Sequence, residues 1–283
     1  MPLFVTARLL EAADVVHGFT GREGGVSRGA FASLNLGLGV GDQPEAVSEN
    51  FARLGAAARV ERFATASQVH GDRVLGASLG EPLRELLPES APEQVEQVEQ
   101  ATRTLQAPQA SRAANRADAL VALQPGVAVA IRVADCVPIL LYAEDRGTAA
   151  AVHSGWRGAR LGIAGRCVRA LEQATSARPE RILAAIGPCI GRCCYQVSPD
   201  LAQLFRGLFG EDVADDPAGP RKPHLDLRAC VERSLRAALV PAARIEQVGG
   251  CTSCDAAYFS HRRDRGTTGR QVGFIAARQP AHI

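Results

Sequence analysis

Residues 117–156, ADALVALQPGVAVAIRVADCVPILLYAEDRGTAAAVHSGW, decide the fold. Three runs inside this stretch, 127–134, 137–142 and 149–153, are rich in Val, Ile, Ala and Leu. Each is short enough to be a buried strand rather than a helix. Between and after them stand Cys136 and His153, at points where an apolar run gives way to a turn. Such junctions are where a scaffold presents reactive groups.

Downstream, GWRGARLGIAGRCVRALEQA places Ala164, Cys167, Val168 and Leu171 on one face, which predicts an amphipathic helix. ILAAIG (182–187) reads as another buried strand. LDLRACVERSLRAALV repeats the helical period at Leu227, Val231, Leu235 and Ala238. Strand-like IEQVGG and RQVGFIAAR close the chain around the charged loop SHRRDRGTTG. Upstream, residues 14–80 read as short strands and turns, with one helix marked by Val47, Phe51 and Leu54. Residues 81–116 are rich in Glu, Gln, Ala and Pro, and predict a surface insertion that is helical through EQVEQVEQATRTL. Strands and helices are mixed without strict alternation, so the fold class is α/β (α+β), with residues 1–283 as one domain.

A chain of 283 residues that is 46% hydrophobic can bury a large core. The net charge of +2 gives no broad electrostatic reason to expect nucleic acid or an anionic membrane. Neither a signal peptide nor a membrane-spanning run is read, so the expected location is cytoplasmic. Lysine occurs once, at Lys222 in the turn-like GPRKPH, and no GxxxxGK[ST] loop exists. Schiff-base and P-loop chemistry are thereby disfavoured, and arginine must supply any phosphate contact.

Eight cysteines in a cytosolic chain read as thiols rather than disulfides. Cys167 and Cys230 fall on buried helix faces. Cys189 and Cys193 in CIGRCC, with Cys251 and Cys254 in CTSCD, have the number of thiols a structural zinc needs. The two halves are distant in sequence, however, and buried free cysteines are the favoured reading. His70, Cys136 and His153 carry more weight. Two imidazoles and one thiol are the ligand count of a catalytic zinc site with one position open. Each residue also has a plainer reading: a strand end for His70 and His153, and inert core for Cys136. Arg22, Arg262 and Arg263 are candidate anion contacts, set against the usual fate of arginine as a solvated surface charge.

Taken together, the motifs R-x-G-G-V-S (22–27), S-L-N-L (33–36), Q-V-H-G (68–71), A-D-C-V-P-I-L-L (134–141), V-H-S-G-W-R-G (152–158), I-G-P-C-I-G (186–191), H-R-R-D (261–264) and T-G-R (268–270) resemble the YfiH family. This is the laccase-domain or "polyphenol oxidase" group, which includes human FAMIN. The resemblance spans about residues 15–277. It implies a compact α/β sandwich of mixed sheets, shared with certain bacterial toxin deamidases. It also implies a Zn²⁺ enzyme of purine nucleoside metabolism, with phosphorylase activity on adenosine, inosine and methylthioadenosine and with adenosine deaminase activity. The metal ligands so implied are His70, Cys136 and His153, and the partners are purine nucleosides and phosphate. Val133 stands where the family commonly has Thr, and His261 where an aromatic is usual.

Two other chemistries compete. Cys136 can serve as a metal-free nucleophile with His153 or His70 as base and Asp135 nearby, giving an amide hydrolase that edits peptidoglycan precursors. A copper polyphenol oxidase is the third. Copper can replace zinc on such ligands, but a multicopper enzyme needs more imidazoles than the six histidines here and an H-x-H pair that is absent.

Overall fold

The chain begins with strand β1 (Phe4–Val5), the short helix α1 (Arg8–Ala12) and strand β2 (Val16–Thr20). The computed structural model describes residues 3–90, 115–215 and 221–278. Helix α2 (Pro44–Ala58) starts on a proline, whose missing N–H has no helical partner to lose at that position. It ends at Arg59, which turns left-handed with φ 56°. Strands β3 (Phe63–Ala64), β4 (Val74–Ala77), β5 (Arg84–Leu87), β6 (Ala119–Ala122), β7 (Ala128–Val133), β8 (Val137–Ala143) and β9 (Thr148–Ser154) follow. Then come α3 (Trp156–Arg160), α4 (Ile163–Thr175), β10 (Ile182–Ile186), α5 (Pro199–Phe209), α6 (Leu227–Ala237), β11 (Ile245–Gln247) and β12 (Gln271–Ala276).

These strands form two mixed sheets. One runs β1-β2-β12-β7-β3 and the other β11-β10-β8-β9-β6-β4-β5. The pairs β3–β7, β4–β6 and β10–β11 are parallel, while β8 and β9 form an antiparallel hairpin that sets His153 opposite Pro138. The period of two along β8 shows how the layers stack. Val137, Ile139 and Leu141 join Val168 and Leu171 of α4, Phe205 of α5 and Leu235 of α6 in one buried cluster. Leu140, from the opposite face of β8, meets Val129, Ile131 and Val133 of the other sheet in a second cluster. The far face of that sheet buries Phe274 and Ala130 against Leu54 of α2. The order of layers is helix, sheet, sheet, helices: a mixed α/β sandwich. Strands covered on both faces need no polar residues, which is why 117–156 reads as nearly continuous apolar sequence.

Two expectations change. The single helix read after His153 is two, because Gly162 adopts a left-handed φ of 71° and turns the chain between α3 and α4. The expected insertion at 81–116 begins too early, since Arg84–Leu87 is edge strand β5, hydrogen-bonded to β4. The helix expected through 93–105 lies outside the described residues. Helix α5, not marked in the sequence, is capped by Ser198, whose hydroxyl accepts from the Leu201 N–H at 3.3 Å. Among the described residues, no helix is long and apolar enough to cross a membrane.

Candidate functional site

Two connections carry the chain from one sheet to the other at the same end of the sandwich. Residues 65–73 lead from β3 to β4 and hold His70; residues 134–136 lead from β7 to β8 and hold Cys136. Both crossings turn through left-handed residues, His70 at φ 62° and Asp135 at φ 84°. Non-glycine residues adopt this conformation rarely and tend to do so at functional sites. His153 comes from β9, between these corners. The result brings together residues 83 apart in sequence: the donor atoms of His70, Cys136 and His153 all lie within 4.8 Å of one another. The two imidazole rings meet edge to face, with centroids 4.9 Å apart.

Asp118, fully buried at the start of β6, organises the trio. Its carboxylate accepts the backbone N–H groups of Val69 (3.2 Å), His70 (3.0 Å) and Gly71 (2.8 Å), which fixes the His70 corner. It also lies 2.7 Å from His153 Nδ1. That bond leaves Nε2 of His153 to face Cys136. Burial alone would push the Asp118 carboxyl up, but the His153 and backbone donors outweigh it and hold the group below its ordinary range. A carboxylate behind a histidine ligand is the usual arrangement that orients the ring and raises its basicity toward a metal.

Cys136 and His153 polarise each other. Burial opposes ionisation of the thiol, yet the His153 charge and the hydrogen bonds from His153 and His70 bring it down to about 6. Burial likewise opposes charge on His153, and the Cys136 thiolate with Asp118 overcomes it, lifting the imidazole to about 10. The local field therefore favours a cation at the centre of the trio. A proton satisfies it, and so does a divalent metal, which displaces the proton. Gly155 makes room for the trio: a Cβ there would lie 3.0 Å from Cys136 Sγ and 3.2 Å from His70 Cδ2.

The trio sits in the wall of a cavity of about 500 Å³. Of the three arginines singled out from sequence, only Arg262 lines it. Arg262 stacks over the Tyr195 ring at 5.3 Å and donates to the carbonyls of Cys194 and Gln196. Arg22 is elsewhere, donating to the Ala32 carbonyl and lying over Phe259 at 5.1 Å. Arg263 spends its guanidinium on Asp264 and on the carbonyls of Thr252, Asp255 and Tyr258. Both are loop braces rather than cavity residues. Asp135 is also a brace, its carboxylate accepting from Thr252 Oγ1 and the Arg262 N–H at 2.7 Å each.

Arg132 and Arg270 line the cavity and were not anticipated. Arg132 Nη2 donates to the Ala66 carbonyl at 2.6 Å, while its Nη1 is buried with no hydrogen-bond partner among the described residues. Burial, followed by the neighbouring Arg270 charge, pulls the Arg132 guanidinium below its ordinary value. Two neighbouring cations on one cavity wall fit an anion. The sequence does carry a signal for Arg132: it is the one charge within the apolar run 127–134. Asp118 is marked the same way, a carboxylate directly before a buried strand.

Residues 16–278 match the family model described as multi-copper polyphenol oxidoreductase laccase. A Geobacillus stearothermophilus protein named purine nucleoside phosphorylase YlmD is 36% identical over 275 residues, covering 94% of this chain and 92% of its own length. A Deinococcus radiodurans purine nucleoside phosphorylase is 38% identical over 266 residues, covering 92% of this chain and 88% of its own. The crystal structure of Bacillus licheniformis YfiH superposes with a TM-score of 0.81 at 30% identity, over 98% of this chain and 97% of that one. The chain belongs to this laccase-domain family, that of the YfiH and YlmD proteins.

Proposed function

We propose that the protein is a zinc-dependent purine nucleoside phosphorylase that also deaminates adenosine, with His70, Cys136 and His153 as the metal ligands. The observation that carries the reading is the trio itself: two imidazoles and a thiolate, converging within 4.8 Å on the wall of a cavity of about 500 Å³. The donor set suits zinc, and three protein ligands leave a fourth position for water or substrate. A zinc ion bound there supplies a Lewis acid and a means of activating water near neutral pH.

The chain's own groups account for the rest of the chemistry. Arg132 and Arg270, both lining the cavity, hold phosphate, with Arg262 beside them. Phosphate then stands beside the ribose, and its attack at C1′ breaks the bond to the purine nitrogen. Tyr195, whose phenol is kept protonated by burial and by the Cys136 thiolate, is a donor on the cavity wall. Several relatives are named purine nucleoside phosphorylase, which supports this substrate class.

The multicopper description of the family does not fit the donors. The described residues form only one metal-ligating cluster that contains histidine, and it has two. The amide-hydrolase reading has one specific observation behind it: Asp118, His153 and Cys136 form a relay like that of a thiol nucleophile and its base. Asp135, proposed for that relay from sequence, is committed to Thr252 and Arg262 instead. His70 favours the metal, since a thiol nucleophile has no need of a second imidazole. The test is product analysis with inosine and adenosine, with and without phosphate. Free base and ribose 1-phosphate should form only with phosphate, and ammonia should leave adenosine without it. Phosphate-independent base release would rule out phosphorolysis, and absence of ammonia would remove the deaminase half.

A further inference from the structure

Five cysteines outside the trio belong to two loops, and the structure sorts them differently from the sequence. Residues 187–196 follow β10 and residues 249–260 follow β11. The two loops run side by side through a parallel bridge between Cys189 and Cys251, with the Thr252 N–H donating to the Cys189 carbonyl at 3.0 Å. Cys189 itself is fully buried, and burial pushes its thiol up to about 11, so it is core. The other four are not the buried free cysteines expected: Cys193 and Cys254 are exposed, and Cys194 and Cys251 are half-buried.

These four sulfurs converge. Cys254 Sγ lies 3.5 Å from Cys193 Sγ and 3.3 Å from Cys194 Sγ, and all four lie within 4.8 Å of one another. Zinc–sulfur bonds of about 2.3 Å in a tetrahedron put the sulfurs about 3.8 Å apart, inside that range. The surroundings suit thiolates. The Gly191 N–H donates to Cys251 Sγ at 3.1 Å, joined by the N–H groups of Ser253 and Cys254. A Cβ on Gly191 would sit 3.0 Å from Cys251 Cβ and 3.2 Å from Cys193 Sγ, so a side chain there would press on the cluster. Arg262 and Arg263 tie the carbonyls of both loops and bring positive charge close by.

We propose that Cys193, Cys194, Cys251 and Cys254 form a second metal site, a structural tetrathiolate centre for zinc, separate from the cavity trio. Binding releases thiol protons to solvent and leaves no open coordination position. A disulfide would engage two of the four sulfurs and require an oxidant, whereas one ion satisfies all four. The centre pins the wall that carries Tyr195 and Arg262, since Tyr195 directly follows Cys194 and Arg262 donates to the Cys194 carbonyl. It is a scaffold element and takes no part in the reaction.

The experiment is metal analysis of protein purified under reductant, together with spectra after cobalt substitution. Wild-type protein should carry two zinc ions per chain. Cys193→Ser with Cys254→Ser should carry one, at the trio, and His153→Ala should carry one, at the tetrathiolate. Cobalt-loaded His153→Ala protein should show strong sulfur-to-cobalt charge transfer and tetrahedral ligand-field bands, a readout that does not require the cysteine variant to fold. Unchanged metal content in the double serine variant, or no such bands in cobalt-loaded His153→Ala, would overturn the proposal. So would the loss of two titratable thiols to a disulfide in the reduced, purified protein. Failure of the trio to bind metal would leave the tetrathiolate bands intact.

Discussion

Asp118 shows how much one buried residue can decide. Four donors converge on its carboxylate, three from the backbone around His70 and one from His153. Asp118→Asn keeps the shape but gives up the charge that holds the His153 proton on Nδ1. Loss of such an orienting partner costs about 10- to 100-fold in metal affinity. Competition against a chromophoric chelator should show that loss for the trio metal, with circular dichroism unchanged; an unaltered affinity would mean Asp118 is only structural. Arg132 is the second residue with a measurable role. A hydrogen bond to a charged group contributes about 1.5–3 kcal/mol, so Arg132→Gln should raise KM for phosphate roughly 10- to 100-fold. KM for the nucleoside should hold. Equal changes in both constants would contradict a phosphate-specific contact.

The elements that carry the site differ in how plainly the sequence marks them. Strands β7, β8 and β9 were legible because both faces of each are covered, leaving uninterrupted Val, Ile, Leu and Ala. The α3–α4 break was not, because a left-handed Gly162 inside an amphipathic pattern leaves the hydrophobic period intact. Convergence of His70 on Cys136 was also invisible to spacing, since it depends on two crossings between sheets ending side by side. The four-cysteine cluster was hidden for a similar reason: adjacency of the loops after β10 and β11 comes from parallel pairing of strands about 60 residues apart. Residue type singled out the trio and the family resemblance named the same three as ligands, but neither supplied a reason to prefer Arg132 and Arg270 over Arg22 and Arg263. The β9–α3 junction offers its own test. Overpacking costs about 1–3 kcal/mol, and in Gly155→Ala that strain falls on Cys136 and His70. Metal affinity at the trio should drop roughly tenfold or more with the fold retained. Wild-type affinity would show that the loop yields freely.

At the scale of the whole molecule, acid acts on the polar contacts that His17 makes within the first segment of the chain. His17 on β2 is buried; its Nδ1 lies 2.8 Å from the Val15 carbonyl and its Nε2 accepts the Ala7 N–H at 2.9 Å. Burial pulls its pKa below the ordinary 6.5, against smaller upward pulls from those backbone bonds, Glu11 and Glu246. The folded state therefore binds this proton less readily than the unfolded chain. Its contribution to stability is complete above pH 6.5 and is lost as pH falls through the lowered folded value. Urea midpoints measured from pH 7.5 down to about pH 5 should fall more steeply for the wild type than for His17→Gln. Parallel curves would assign the acid sensitivity elsewhere.

Phosphorolysis at the His70–Cys136–His153 metal site is tested most directly by the rate of ribose 1-phosphate formation from inosine, measured on metal-stripped protein as zinc is returned. Turnover should vanish on stripping and recover with zinc, and His153→Ala should recover none. Full turnover by the stripped wild-type protein would contradict a metal-dependent site and leave the Cys136 thiolate as the reacting group.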